Sequence, residues 1–190
     1  MEAGSRMTGR SQRKREIDRL ATLNSYGVPD HAPEDAFHRI TRLVADIFSA
    51  PLASISLVDA EHEWFKSTVG FAESQLDRDV SICAQAIENG EPVVIEDASL
   101  DSRFDGNPLV SGDPFIRFYA GAPLISPNGK VLGVLWIADT VPRFRITANQ
   151  MNHLKSMADI VMSEMELSRE IRLREQAQKN AAIARSNLDL

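Results

Sequence analysis

The spacing of hydrophobic and polar positions changes period along the chain, and distinct elements follow from each change. Over residues 12–24 (QRKREIDRLATLN), Ile17, Leu20 and Ala21 form a sparse apolar stripe at helical spacing. Gly27, Pro29 and Asp30 break it. The next stripe is the clearest in the chain: Phe37, Ile40, Leu43, Val44, Ile47 and Phe48 recur at helical spacing, with Arg39, Arg42 and Asp46 outside it. Pro33 stands at the predicted start, Glu34 and Asp35 favour the positive end of the helix dipole, and Pro51 closes the segment.

The period then shortens. Residues 53–58 (ASISLV) alternate in twos, residues 59–61 turn, and 64–69 (WFKSTV) predict a second strand. Residues 81–89 (SICAQAIEN) predict a short helix stopped by Gly90, and 92–95 a brief strand. The stretch 98–114, rich in Asp, Ser, Gly and Pro, predicts a long loop. Two further strands, 116–125 and 130–138, are joined by Ser126-Pro127-Asn128-Gly129, a strong hairpin signal. In the last strand Leu132, Val134 and Trp136 are expected on one face, and Val131, Leu135 and Ile137 on the other, so both faces need cover. The terminal helices can cover one; the short helix and the long loop remain for the other, an arrangement that leaves room for a pocket. From Thr147 onward one long helix is predicted, with Leu154, Ala158, Val161 and Met165 packing. The stripe then slips to Leu167 and Ile171, and the rest is expected to protrude and to need pairing with another helix.

Composition narrows the function classes. The chain has 190 residues, 43% hydrophobic and 25% charged, enough for one ordinary domain with flanking segments. Its apolar runs are too short to span a bilayer, the N-terminus lacks a signal peptide's apolar stretch, and the single cysteine fits a reducing compartment, so a cytoplasmic location is expected. The net charge of -6 is uneven: residues 1–15 carry +4, residues 168–190 carry +2, and the body between them carries the balance of -12. So acidic a body repels a phosphate backbone, and no nucleic-acid partner is expected. His31, His38, His62 and His153 show no metal-ligand spacing, and phosphate-loop, dinucleotide and nucleophile-elbow motifs are absent, which leaves no catalytic or metal assignment.

Two features carry candidate chemistry. Cys83 opens a short helix with Arg78 upstream; it reads either as an activated thiol or as a small buried residue beside Ile82 and Ala86. Arg103-Phe104 and the run 115–119 (FIRFY) place arginines among aromatics, suited to a small anionic or planar ligand or to a core with neutralised neighbours.

Five segments in register resemble GAF domains: 23–34 (LNSYGVPDHAPE), 56–69 (SLVDAEHEWFKSTV), 81–87 (SICAQAI), 97–108 (DASLDSRFDGNP) and 116–139. They are most similar to the subgroup found in bacterial sensor histidine kinases and diguanylate cyclases. The resemblance implies an α/β fold of α+β type, with a central antiparallel sheet of about five or six strands. It places N- and C-terminal helices on one face and a ligand cavity under the short helix and loops on the other. The implied division is a flexible basic N-terminus over 1–11, a GAF domain over 12–166 and a signalling or dimerisation helix over 167–190. It also implies homodimers through the terminal helices and an output domain of the kinase or cyclase kind.

The resemblance does not extend to every branch. The Cys-His pair of bilin-binding members is missing from 111–120, and the several cysteines of free methionine sulfoxide reductases are reduced to one. The N-K…F-x-x-x-D-E signature of cyclic-nucleotide-binding members is also missing. The expectation is therefore a non-catalytic sensory domain in signal transduction, two-component systems included, binding an unidentified small molecule with no cofactor assigned. The expected lining is Phe65, Arg78, Ser81, Cys83, Arg103, Phe104, Phe118 and Tyr119. The alternatives are a dimerisation scaffold whose twelve aromatics and six methionines fill its own cavity, and an enzyme using Cys83.

Overall fold

A computed structural model describes residues 9–27 and 35–188, including their side chains except those of Gln85 and of residues 186–188. The turn residues Pro29 and Asp30, the helix start at Pro33 and Glu34, and most of the expected flexible terminus lie outside the described residues. Helix α1 (Gly9–Ser25) begins three residues before the expected position, and α2 (Asp35–Phe48) follows. Strands β1 (Leu52–Val58), β2 (His62–Val69) and β3 (Gln75–Asp77) come next. A 3-10 turn (Arg78–Val80), α3 (Ala84–Asn89) and β4 (Val93–Ile95) lead into the stretch expected to be a loop. That stretch folds into two 3-10 turns and a one-turn helix α4 (Pro108–Ser111), capped in succession by Asp97, Asp101 and Asn107, whose side chains accept from Ser99 N, Arg103 N and Leu109 N. The hairpin β5 (Phe118–Ile125) and β6 (Val131–Asp139) and the 41-residue α5 (Ala148–Leu188) complete the fold. Thr147 and Gln150 cap α5 reciprocally: Gln150 N donates to Thr147 Oγ1 at 3.1 Å, and Thr147 N donates to Gln150 Oε1 at 2.9 Å.

The strands form one antiparallel sheet in the order β3-β2-β1-β6-β5-β4, within the expected α+β class. Each face carries its own core. On one, Leu23 of α1, Phe37, Val44 and Phe48 of α2, and Leu154, Val161 and Met165 of α5 pack on Ile55, Leu57, Leu135 and Ile137. On the other, Ile82, Cys83, Ala86, Phe104, Leu109 and Ile116 pack on Phe65, Tyr119, Val134 and Trp136.

Three sequence expectations about facing need correction. In α1 the inward residues are Arg19 and Leu23, while Ile17 is exposed, because Arg19 finds carbonyl partners on the sheet that an apolar count does not register. In α2 the inward set is Phe37, Thr41, Val44, Ala45 and Phe48, and Leu43 and Ile47 point out. In β6 the alternation reverses at Leu132, which joins Leu135 and Ile137, while Val131 packs toward Val134 and Trp136. The cause is an irregularity beside the hairpin, where Leu124 pairs with Gly133 but Ile125 pairs with Val131. Gly133 is required there, since an added Cβ would run into the carbonyl oxygen of Ser56.

Candidate functional site

On the face away from the long helices, strand residues together with Phe71, Ile82, Cys83, Leu109 and Ile116 line a cavity of about 10 Å³, roughly the room of one water. Its wall is aromatic. Phe71, from the irregular segment between β2 and β3, sets its ring edge-to-face on Phe65 at 5.2 Å and on Trp136 at 6.1 Å, and Tyr119 lies 5.8 Å from Trp136. The rings of Phe65, Phe71, Tyr119 and Trp136 stand around the space where a ligand is expected.

A polar cluster sits at the base of this apolar wall. Cys83 Sγ donates to Glu63 Oε1 at 3.1 Å, lies 3.0 Å from the Tyr119 hydroxyl and 3.5 Å from Ser56 Oγ. Glu63 is only 2% exposed, and among the described residues no lysine, arginine or histidine pairs with it. Trp136, which also lines the cavity, has a buried Nε1–H with no hydrogen-bond partner among the described residues. Burial and then the neighbouring Glu63 push the Cys83 thiol well above its ordinary range, and burial, with Cys83 and Glu63 beside it, does the same to the Tyr119 phenol. The helix-start position of Cys83 thus fails to activate it; desolvation outweighs one short turn of dipole.

Of the eight expected lining residues, the structure brings Phe65, Cys83 and Tyr119 to the cavity. Ser81 is buried next to them, its hydroxyl accepting from Cys83 N at 3.1 Å. Phe104 packs in the same core without reaching the cavity. Arg103 lies at the surface, paired with Asp101, its guanidinium 5.5 Å from the Phe104 ring. Phe118 belongs to the helix-side core: adjacent strand residues point to opposite faces, so Phe118 and Tyr119 cannot share one pocket. Glu63, Phe71 and Trp136 escaped the sequence reading. For Glu63 a signal existed, since it shares strand parity with Phe65.

Arg78 takes a different part. Its guanidinium donates to Glu16 Oε1 on α1 at 2.6 Å and to Asp59 O at 2.9 Å. Glu16 also accepts from Arg19, which reaches on to Val58 O at 2.7 Å and Val131 O at 3.4 Å. The Arg19 and Arg78 guanidiniums hold the Glu16 carboxyl down at about 2, against its desolvation. The segment that walls the cavity is therefore tied to α1, and the end of α1 is tied to α5. Tyr26 donates to Glu166, and Arg172 donates to Ser25 O at 3.2 Å.

No three His, Cys, Asp or Glu residues gather as a metal site among the described residues, and no helix there is long and apolar enough to cross a membrane. A six-stranded antiparallel sheet with terminal helices on one face, and a small cavity on the other, defines the class of α+β domain to which the chain belongs. The GAF domain model matches residues 32–165, and the chain belongs to that family. It is 35% identical over 150 residues to a protein of Pseudomonas aeruginosa named a cyclic di-GMP phosphodiesterase, over 79% of this chain and 26% of that one. The chain thus spans about a quarter of that relative's length. Among solved structures it resembles the GAF domain of an Acinetobacter phosphoenolpyruvate-protein phosphotransferase, at TM-score 0.62 and 19% identity, over 87% of this chain and 98% of that one. It also resembles free methionine-R-sulfoxide reductase from Neisseria meningitidis, at TM-score 0.61 and 16% identity, over 87% and 95%.

These likenesses correct the expectation that the chain is not an enzyme. The P. aeruginosa relative carries an enzyme's name, and the fold is that of free methionine-R-sulfoxide reductases, so neither family nor fold sets catalysis aside.

Proposed function

We propose that this chain is the sensory GAF part of a cytoplasmic signalling protein whose output concerns cyclic di-GMP. A small molecule occupies the enlarged form of the cavity beside Phe65, Ser81, Cys83 and Tyr119, and shifts the segment Arg78–Cys83. The shift passes through Glu16 to α1, and through Tyr26 and Glu166 to α5. Two copies pair through the terminal helices, and residues 167–190 carry the change to an output domain. The cyclic di-GMP connection rests on the name of the P. aeruginosa relative.

The observation that carries the reading is the shape of α5. At 41 residues it extends about 60 Å, its buried side chains stop at Met165, and Ile160, Leu167, Ile171 and Leu173 stand exposed. A protruding helix with apolar residues is marginal alone and stable when paired. Light scattering on the eluting chain tests this. The expected result is a dimer that becomes a monomer in Leu167→Glu/Ile171→Glu; a monomeric parent chain contradicts it.

A further inference from the structure

We propose, resting on the cavity as the ligand site, that its ligand is a small organic ammonium compound bearing an oxygen acceptor. Three independent features of the same cavity point there. The first is the carboxyl of Glu63, buried to 2% exposure and paired with no cation among the described residues. An unpaired acid at such a depth is costly, and a guest cation compensates it. The second is the aromatic wall. Phe65, Tyr119 and Trp136 present ring surface around the same space, and ring faces attract an alkylated ammonium while tolerating its methyl groups. The third is the buried Trp136 Nε1–H, a donor without an acceptor among the described residues, which an oxygen on the guest satisfies.

Phe71 supplies the room. The cavity of about 10 Å³ is too small for such a guest, yet one wall is not built like the others. Phe65, Tyr119 and Trp136 stand on strands, whereas Phe71 follows the left-handed Gly70 in a stretch without regular structure and is only half-buried. Ala72, Glu73 and Ser74 after it are exposed, so the Phe71 ring can leave without unpairing a strand. Its place then lies between Phe65 and Trp136, with Glu63 and Cys83 also lining the space. A cation in that place pairs with the Glu63 carboxyl, which an anion or a neutral molecule does not.

The test titrates the isotopically labelled chain with choline and with its neutral isostere 3,3-dimethyl-1-butanol, following the Trp136 indole N–H signal, assigned through Trp64→Phe. Choline is expected to shift that signal at a concentration at least tenfold below the isostere. Phe71→Ala is expected to lower both concentrations, and Glu63→Gln, which still accepts from Cys83, to erase the preference for the cation. If the isostere binds as well as choline to the parent chain, the ammonium assignment is overturned while the cavity remains a ligand site. If neither moves the signal, even in Phe71→Ala, the cavity reading falls with it.

Discussion

Glu16 of α1 and Arg78 of the cavity segment meet at 2.6 Å, across 62 positions of sequence, and join the helix-covered face of the sheet to the cavity side. Arg78 is followed within five residues by Ser81 and Cys83, and Glu16 shares its carboxyl with the buried Arg19. A displacement on one side therefore has a polar path to the other.

Removing that carboxyl with Glu16→Gln leaves Arg19 buried against carbonyl oxygens with its anion gone. The expected loss is about 1–2 kcal/mol, lowered from the cost of a fully buried pair because Glu16 is partly exposed. Urea unfolding at neutral pH measures it.

The same carboxyl sets a pH dependence. Its folded value, about 2, lies below its ordinary value of 4.5, so folded chains hold it ionised where unfolded chains begin to protonate. Its contribution is complete above 4.5 and is lost as pH falls toward 2. Unfolding free energies measured across that window should decline more steeply for the parent chain than for Glu16→Gln.

Cys83 is expected to resist alkylation near neutral pH in the folded chain and to react at once in denaturant. Burial removes access, and together with Glu63 it raises the thiol, so both accessibility and thiolate content are low. Fast labelling of the folded chain by iodoacetamide contradicts the placement of Cys83 in the core.

Gly133→Ala is expected to cost about 3 kcal/mol, because the new methyl collides with backbone rather than with a flexible side chain. Thermal unfolding checks this against Gly129→Ala in the hairpin turn. There nothing crowds the added Cβ, and only the left-handed backbone angle resists it.

The sequence pattern conveyed much of the architecture and less of the site. α2, the β5–β6 hairpin and α5 were legible because a sustained period or an Asn-Gly pair marks each within a short window. The facing of β6 was not, since the parity change at Leu132 depends on how Ile125 pairs across the hairpin, which no local pattern records. α1 misled for the opposite reason: its apolar stripe is sparse, and the residue that docks it is Arg19. Of the expected lining residues, Phe65, Cys83 and Tyr119 border the cavity, whereas Phe118 packs on the helix side of the strand it shares with Tyr119. Glu63 shares strand parity with Phe65, a legible signal, but its type argues for a solvated position until its neighbours are known.

The central claim is that the cavity wall and the terminal helices move together, and amide hydrogen exchange on Cys83→Leu tests it most directly. The larger side chain cannot fit beside a cavity of about 10 Å³, so it must press the segment 78–83 outward. The account predicts faster exchange in α1 around Glu16 and Arg19 and in α5 around Glu166, with the change in α1 reduced when Glu16→Gln is already present. Faster exchange confined to residues 78–90, with α1 and α5 unchanged, would contradict it.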